Sequence, residues 1–528
     1  MTLIFYENSL KSVLRHRKTV VFSIIGFSIL SFLIFKFVGK EFFPDSDESQ
    51  FSIVVKMPVG TRIEETIKYV EKLEQVIKNN VPEYKNIISD VGVPSVRSGN
   101  LFGQNSGSHA ANIQVAVTPP DERSRSIFDI IKVIRPKLTS IPGAKVFVNT
   151  GGFLKFLLNF GSPAPIDVII SGHDFEKADV LANQISDIVK SVPGATDVQI
   201  TRELNLPELL VNIDREKAGA LGVNVQQISN TIATAISGSV ASIFTDPATG
   251  NQYNILVRMS EDYRGKIEDI KNLSVTNPSG QIIQLRNLIN VTLAKAPIQI
   301  DRRYQERIVE VTANTAGRDL GSISNDIKEK LASVAIPSGF TVTVSGNADQ
   351  MEKTFSDLTL ALILAIILVY MVMASQFQSL IDPFIIMFTV PLGIVGVIWA
   401  LFFTNTTLSV TSFEGVIVMI GIVVSNGILL VDYTNRLRKT GIELHEAVIK
   451  AGKTRLKPIL MTTLATVLGL IPLAAGIGGE SSQGPLAIAV IGGLSVSTFL
   501  TLLFVPTLYI IFEERFRKDI KIIDEGVN

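Results

Sequence analysis

Six apolar runs, Thr19–Val38, Ser356–Ala374, Pro383–Phe403, Gly415–Tyr433, Pro458–Ile477 and Leu486–Phe512, limit what this chain can become. Each can cross a bilayer, because roughly 20 apolar residues at ~1.5 Å each match a hydrocarbon core of about 30 Å. The last run is longer than that and is expected to tilt or project. The spacing is uneven: one run stands near the start, a long stretch of mixed polarity follows, and short connections join the other five. A chain of 46% hydrophobic and only 19% charged residues with this pattern reads as a multi-pass membrane protein.

Basic residues set the orientation. They gather before the first run, between the fourth and fifth (Arg436, Arg438, Lys439, Lys450, Lys453, Arg455, Lys457) and after the sixth (Arg515, Arg517, Lys518). The connections after the third and fifth runs carry none. If the spans alternate, every basic cluster falls on one side, so both termini are expected to be cytoplasmic and Gly39 to about Lys353 to lie outside. The first run, preceded by Arg15-His16-Arg17-Lys18, is too long for a cleavable signal and reads as a signal anchor.

Within the outer stretch the hydrophobic period alternates between two and 3.6 residues. Strands are expected at Phe51–Met57, Asn86–Asp90, Asn112–Thr118 and Lys145–Asn149, with helices at Ile63–Ile77 and Ser126–Leu138. That order is β-α-β-β-α-β, a ferredoxin-like pattern. A second set begins with Ile166–Ser171, helix Phe175–Val192 and Asp197–Thr201. It resumes at Arg307–Asn314, helix Leu320–Val334 and Thr341–Ser345. Leu206–Pro297 interrupts it as an insertion, with a hairpin expected around Asp246–Asn251. The expected fold class is therefore α+β: six spans in a one-plus-five plan, and a large exported domain of two ferredoxin-like modules, the second carrying an inserted subdomain.

Two loops stand out. Arg97–Ser108 is rich in Gly, Ser and Asn around Leu101, Phe102 and Gly103, and reads either as a flexible connector or as a loop gating a cleft. In Gly151–Gly161, Phe153, Phe156 and Phe160 recur at helical spacing, fitting internal packing or an apolar ligand or membrane contact.

The fourth run carries the chemistry of most interest. Glu414, Ser425 and Asp432 are spaced by eleven and then seven residues, which returns nearly to one helix face. In hydrocarbon such a polar stripe has to face protein or a water-filled cavity. Ser425 and Asn426 also fit a plainer role as hydrogen-bonding glue between helices. Zinc-finger, iron–sulfur and cysteine-nucleophile chemistry are excluded, because there is no cysteine, and the four histidines are far apart in sequence. No enzyme constellation emerges, no cofactor or metal is expected, and 49 basic against 49 acidic residues point to no nucleic acid.

Six stretches taken together resemble the resistance–nodulation–division (RND) superfamily of proton-driven exporters, in particular the C-terminal half of its drug-efflux permeases. They are FFPDSDESQFSIVVKMPVG (Phe42–Gly60), VNIDREKAGALGV (Val211–Val223), DRRYQERIVEVTANTAGRDLG (Asp301–Gly321), GIVVSNGILLVDY (Gly421–Tyr433), TRLKPILMTTLATVLGLIPLA (Thr454–Ala474) and GPLAIAVIGGL (Gly484–Leu494). The resemblance implies a first porter subdomain at 39–164 and a second at 165–205 with 298–352. It places a docking subdomain at 206–297, further spans at 353–513 and a cytoplasmic tail at 514–528. It implies a trimer in the bacterial inner membrane that works with a periplasmic adaptor and an outer-membrane channel and exports lipophilic compounds from the periplasm or lipid. Leu101, Phe102 and Gly103 fall where the family has its switch loop, and Phe153, Phe156 and Phe160 at its lateral entrance.

The implied proton relay comprises Ser425, Asn426, Arg455 and Thr462. Drug-efflux members usually place a lysine where Ser425 stands, and pair it with two aspartates of an N-terminal half. Serine cannot form that ion pair, and no run here has a carboxylate near its middle. The chain is thus expected to be half of a split permease or an excerpt of a longer one, with the N-terminal half as partner. Within the family, metal export through methionine thioethers is the rival, but only Met57 and Met259 lie well inside the exported stretch. A protein-export accessory subunit and a non-transporting sensor or assembly partner are the alternatives outside drug export.

Overall fold

The structure is a computed structural model that describes residues 2–44, 47–92, 107–150, 164–202, 206–296, 299–476 and 482–516. It divides into two units, Met1–Arg202 with Ile300–Asn528, and Glu203–Gln299.

Among the described residues of the larger unit six helices are long and apolar enough to cross a membrane: Arg17–Phe37, Asn347–Phe377, Ile381–Phe403, Val410–Lys439, Leu444–Ala474 and Gly484–Arg515. The third, fourth and sixth form the centre, with 61%, 56% and 56% of their apolar windows buried, against 6%, 6% and 17% for the first, second and fifth. Glycines make the central crossings close. A Cβ on Gly396 would stand 2.5 Å from the Gly492 carbonyl oxygen, and one on Gly415 would stand 2.7 Å from that of Leu486. Without a hydrophobic driving force between helices in lipid, such backbone proximity is what lets them associate. A preceding helix, Thr2–Arg15, lies against the bundle through Tyr6, Leu10 and Leu14, and the Tyr6 hydroxyl donates to the Leu502 carbonyl at 2.9 Å.

Several spans are longer than their apolar runs. The second starts at Asn347 and the fifth at Leu444, so Lys450, Lys453, Arg455 and Lys457 belong to the helix rather than to a connection. Hydropathy marks where lipid ends, whereas helix hydrogen bonding continues until a cap or a breaker stops it. Pro458 lies within the fifth span without ending it. The third span is built of two pieces, Ile381–Met387 and Thr389–Phe403.

The described residues of this unit also form two β-sheets. Strands β1 (Gln50–Lys56), β2 (Tyr84–Val91), β3 (Ala110–Val117) and β4 (Lys145–Thr150) pair antiparallel in the order β2-β3-β1-β4. Phe51, Ile53 and Val55 point to the face covered by helices Ile63–Asn80 and Ile127–Thr139, through Leu73, Ile77, Ile130 and Ile134. Ser126 caps the second of these helices by accepting from the Asp129 N–H. In the second sheet, β5 (Ile166–Ser171) is central, between β15 (Thr341–Gly346) and β14 (Glu306–Thr315). The latter also pairs with β6 (Ala195–Ile200) and the short β13 (Asp301–Arg303). Helices Phe175–Lys190 and Leu320–Leu331 cover one face, packing Ile185, Val189, Ile323 and Ile327 on Ile166, Val168, Ile170, Val309 and Val311.

Sheet and bundle are joined twice. Strand β15 runs straight into the second span at Gly346, whose φ of 78° with ψ of −151° suits glycine. Segment Gly39–Phe42 forms a strap: Leu408 N–H donates to Gly39, Glu41 N–H to Leu408 and Val410 N–H to Phe42, while Lys40 N–H donates to the carboxylate of Asp319, the cap of helix Leu320–Leu331.

The smaller unit pairs β7 (Leu206–Ile213) with β12 (Ile289–Ala296) and β10 (Ser274–Thr276) with β11 (Ile282–Gln284), carries helix Val225–Ile236, and has its own core of Ile228, Ile270, Val275, Leu285 and Leu288. The hairpin of β8 (Ser239–Thr245) and β9 (Gln252–Val257) turns at Asp246, whose carboxylate accepts from Ala248 N–H and the Thr249 hydroxyl. Thus the described residues form a mixed α+β protein with six apolar helices.

Candidate functional site

The fourth span supplies the scaffold. Ser409 caps it by accepting from Ser412 N–H, and the Ser412 hydroxyl in turn accepts from Ser409 N–H. Val416, Met419, Val423 and Leu430 are buried against the neighbouring spans. On the other side, at steps of three and four residues, Glu414, Val418, Gly421, Ser425 and Leu429 are exposed, and nothing lies within 4 Å of a Cβ built on Gly421. The stripe read from the sequence is therefore a seam that this chain leaves uncovered. Asp432, towards its end, pairs with Arg436 at 3.0 Å.

The other sequence-derived candidates fall around this seam in different ways. Asn426, next to exposed Ser425, is 5% exposed, and its amide nitrogen has no hydrogen-bond partner among the described residues. Arg455, in the fifth span, is half-buried with its guanidinium 4.8 Å from the centre of the Tyr433 ring, a cation–π contact that ties the fifth span to the fourth. Thr462 is exposed, and its hydroxyl donates within its own helix to the Ile459 carbonyl at 2.9 Å. Beside it Met461, Leu464 and Leu468 are also exposed, so the fifth span continues the open surface. Leu101, Phe102, Gly103, Phe153, Phe156 and Phe160 lie outside the described residues.

Sequence reasoning passed over two buried carboxylates at the span ends. Asp382, in the first turn of the third span, accepts from the Asn435 side-chain amide at 3.1 Å, and Asn435 accepts from the Tyr509 hydroxyl at 2.5 Å, which links the third, fourth and sixth spans. Glu513, 2% exposed, lies near the end of the sixth. Both sit just beyond the apolar runs, where a charge reads as solvated. Only the packing of three helix ends shows that they are enclosed.

The second sheet carries another acidic group that the sequence left unmarked. Asp167 of β5 is 3% exposed, and burial together with the negative charge of Glu310 pushes its carboxyl up to about 8. Burial also raises Glu310, opposed by Arg303. No group of three or more His, Cys, Asp or Glu side chains that could hold a metal occurs among the described residues.

Comparison with known proteins gives these features a family. Residues 2–513 match the model of the AcrB/AcrD/AcrF family. The chain is 29% identical over 512 residues to the cobalt-zinc-cadmium resistance protein CzcA of Cupriavidus metallidurans, covering 96% of this chain and 48% of that protein. It is 27% identical over 525 residues to the multidrug resistance protein MdtC of Photorhabdus laumondii, with the same coverage. A solved heavy metal efflux pump superposes with a TM-score of 0.82 at 27% identity, covering 98% of this chain and 53% of that one. The chain thus spans about half the length of the curated relatives it matches, and the match is to an RND family whose members are transporters, not enzymes. The chain belongs to the AcrB/AcrD/AcrF family of RND permeases.

Proposed function

We propose that this chain is the C-terminal half of an RND exporter driven by protons, completed by an N-terminal half that covers the fourth and fifth spans. The observation that carries this reading is the open seam of Glu414, Gly421 and Ser425. A polar stripe facing hydrocarbon is costly, whereas facing a second set of helices it can accept partners. In this reading Ser425, Asn426, Arg455 and Thr462 line the junction, and the proton-carrying carboxylates come from the other half. Serine and threonine hydroxyls there receive or orient a proton without forming an ion pair. Arg455, permanently charged, biases those carboxylates towards ionisation.

The two sheet modules are read as ferredoxin-like porter subdomains on the periplasmic side, and the smaller unit as the docking subdomain that meets an adaptor and an outer-membrane channel. Both termini are read as cytoplasmic and the assembly as a trimer in the inner membrane. Leu101, Phe102 and Gly103 would gate the cargo path, and Phe153, Phe156 and Phe160 would line its entrance.

Lipophilic compounds are the proposed cargo, since the outer stretch offers few methionine thioethers as soft ligands. A metal cation is the second reading, favoured by the names of CzcA and of the solved heavy metal efflux pump. Cells carrying the complete exporter, assayed with a lipophilic dye and with zinc, cobalt and cadmium salts, separate the two. Thr462→Ala or Arg455→Ala should reduce export at least tenfold with expression intact. Unchanged export in both variants would overturn the relay.

A further inference from the structure

The face of the second sheet turned away from its helices has its own organisation. Strand alternation puts Ile166, Val168, Ile170, Val309, Val311, Val342 and Val344 on the helix side. Asp167, Glu310, Thr312 and Ser345 therefore share the opposite side. Register places Asp167 directly between Thr312 of β14 and Ser345 of β15. Directly opposed side chains in antiparallel strands have Cβ atoms ~5 Å apart, and the diagonal neighbour Glu310 is ~7–8 Å away.

Two atoms of this group are buried without hydrogen-bond partners among the described residues: Asp167 Oδ1 and Thr312 Oγ1, the latter on a residue with no exposed surface. Arg303 reaches across from β13 and donates to the Ser345 hydroxyl at 3.4 Å. It opposes the charge of both acids, while Asp301 adds negative charge near Glu310. Ionised together, Asp167 and Glu310 add to the negative charge of Asp301 near Glu310, and the opposing Arg303 is itself exposed and stands in register with a further carboxylate, Glu306. A proton on Asp167 removes one of those charges and gives the carboxyl an O–H to donate towards the unpartnered Thr312 oxygen.

The location gives such a proton mechanical meaning. Gly346, where β15 turns into the second span, is so close that an added Cβ would stand 3.2 Å from the Asp167 Cβ and 3.1 Å from the Pro165 carbonyl oxygen. Asn347 N–H donates to that same carbonyl at 3.2 Å and starts the span. We infer that Asp167, with Thr312 and Glu310, is a proton-binding site outside the membrane spans, and that the bound proton holds the joint between the second sheet and the second span closed. The ligand is a proton taken from the solvent on that side. The site works in this chain whether or not the chain exports anything.

Hydrogen exchange on the purified full chain in lipid nanodiscs between pH 6.5 and 9.0 tests it, comparing variants at each pH so that intrinsic rates cancel. Peptides spanning 164–172 and 341–352 report on the joint, and those from the first sheet serve as a control. Wild type and Asp167→Asn should match at pH 6.5. At pH 9.0 wild type should exchange about thirtyfold faster than the variant in the joint peptides, since each pH unit below the midpoint strengthens the proton-held joint about tenfold and pH 6.5 lies about 1.5 units below it. Glu310→Gln should move the wild-type midpoint to lower pH, and serves as the test if Asp167→Asn does not fold. A wild-type profile that runs parallel to Asp167→Asn across the range would overturn the inference. So would a midpoint that Glu310→Gln leaves in place.

Discussion

The two sheet modules of the larger unit are alike in plan and unlike in how they treat buried charge. Each puts two helices on one face of an antiparallel sheet and fills the contact with Ile, Val and Leu. The first module encloses a complete ion pair, Asp47 with Arg123, both side chains 1% exposed, and Asp47 also accepts from the Ile127 N–H that opens a helix. The second encloses Asp167 with an unpartnered oxygen and a counter-charge that has to reach across the sheet. A paired buried charge fixes structure at all pH values where both partners stay ionised. A poorly paired one makes structure depend on protons. The contrast assigns the first module a static role and the second a responsive one.

The largest break in this comparison should come from Arg123→Met. It leaves Asp47 buried and uncompensated, at a cost of about 3–5 kcal/mol, and chemical unfolding followed by first-sheet peptides should register it. Asp167→Asn acts in the other module and in the opposite sense. The folded carboxyl titrates near 8, above its ordinary value of 3.8, so the folded state holds the extra proton between these values. Stability from this group is complete below the ordinary value and is lost as pH rises through about 8. Wild type should lose ~2 kcal/mol between pH 6 and 8, at a limiting slope of about 1.4 kcal/mol per unit. The variant should lose none of this, which unfolding at three pH values would check.

Helix caps give a smaller effect that still separates the modules. Ser126→Ala removes a cap at about 1 kcal/mol. Asp319→Ala should exceed it, because Asp319 also accepts from the Lys40 N–H of the strap. Thermal midpoints of the two variants decide this, and equal shifts would deny the strap a role. Least of all, Thr462→Ala should leave stability within ~0.5 kcal/mol, because Thr462 is exposed and its hydroxyl donates within its own helix, while export falls.

Much of this fold was legible in the sequence because its signals are periodic. Alternation of Ile113, Val115 and Val117 with their neighbours and the 3.6-residue spacing of Leu73, Ile77 and their neighbours mark strand and helix to within a few residues. Span ends were less legible, since Lys450 to Lys457 look like a loop by charge and are held in helix by the backbone. Short β13 has too few residues to show a period. The seam was legible as a polar stripe at Glu414 and Ser425, yet its exposure depends on which helices surround it. Asp167, Asp382 and Glu513 were illegible for the same reason: a carboxylate in sequence looks solvated until tertiary packing encloses it.

The central claim is that the seam on the fourth and fifth spans is covered by a second set of membrane helices. Native mass spectrometry of the complex, extracted gently from its own membranes, tests it most directly. The account predicts further membrane spans in equal number to these six, carried by a separate subunit or by a longer polypeptide that includes this chain. A complex built only of copies of these 528 residues would contradict it.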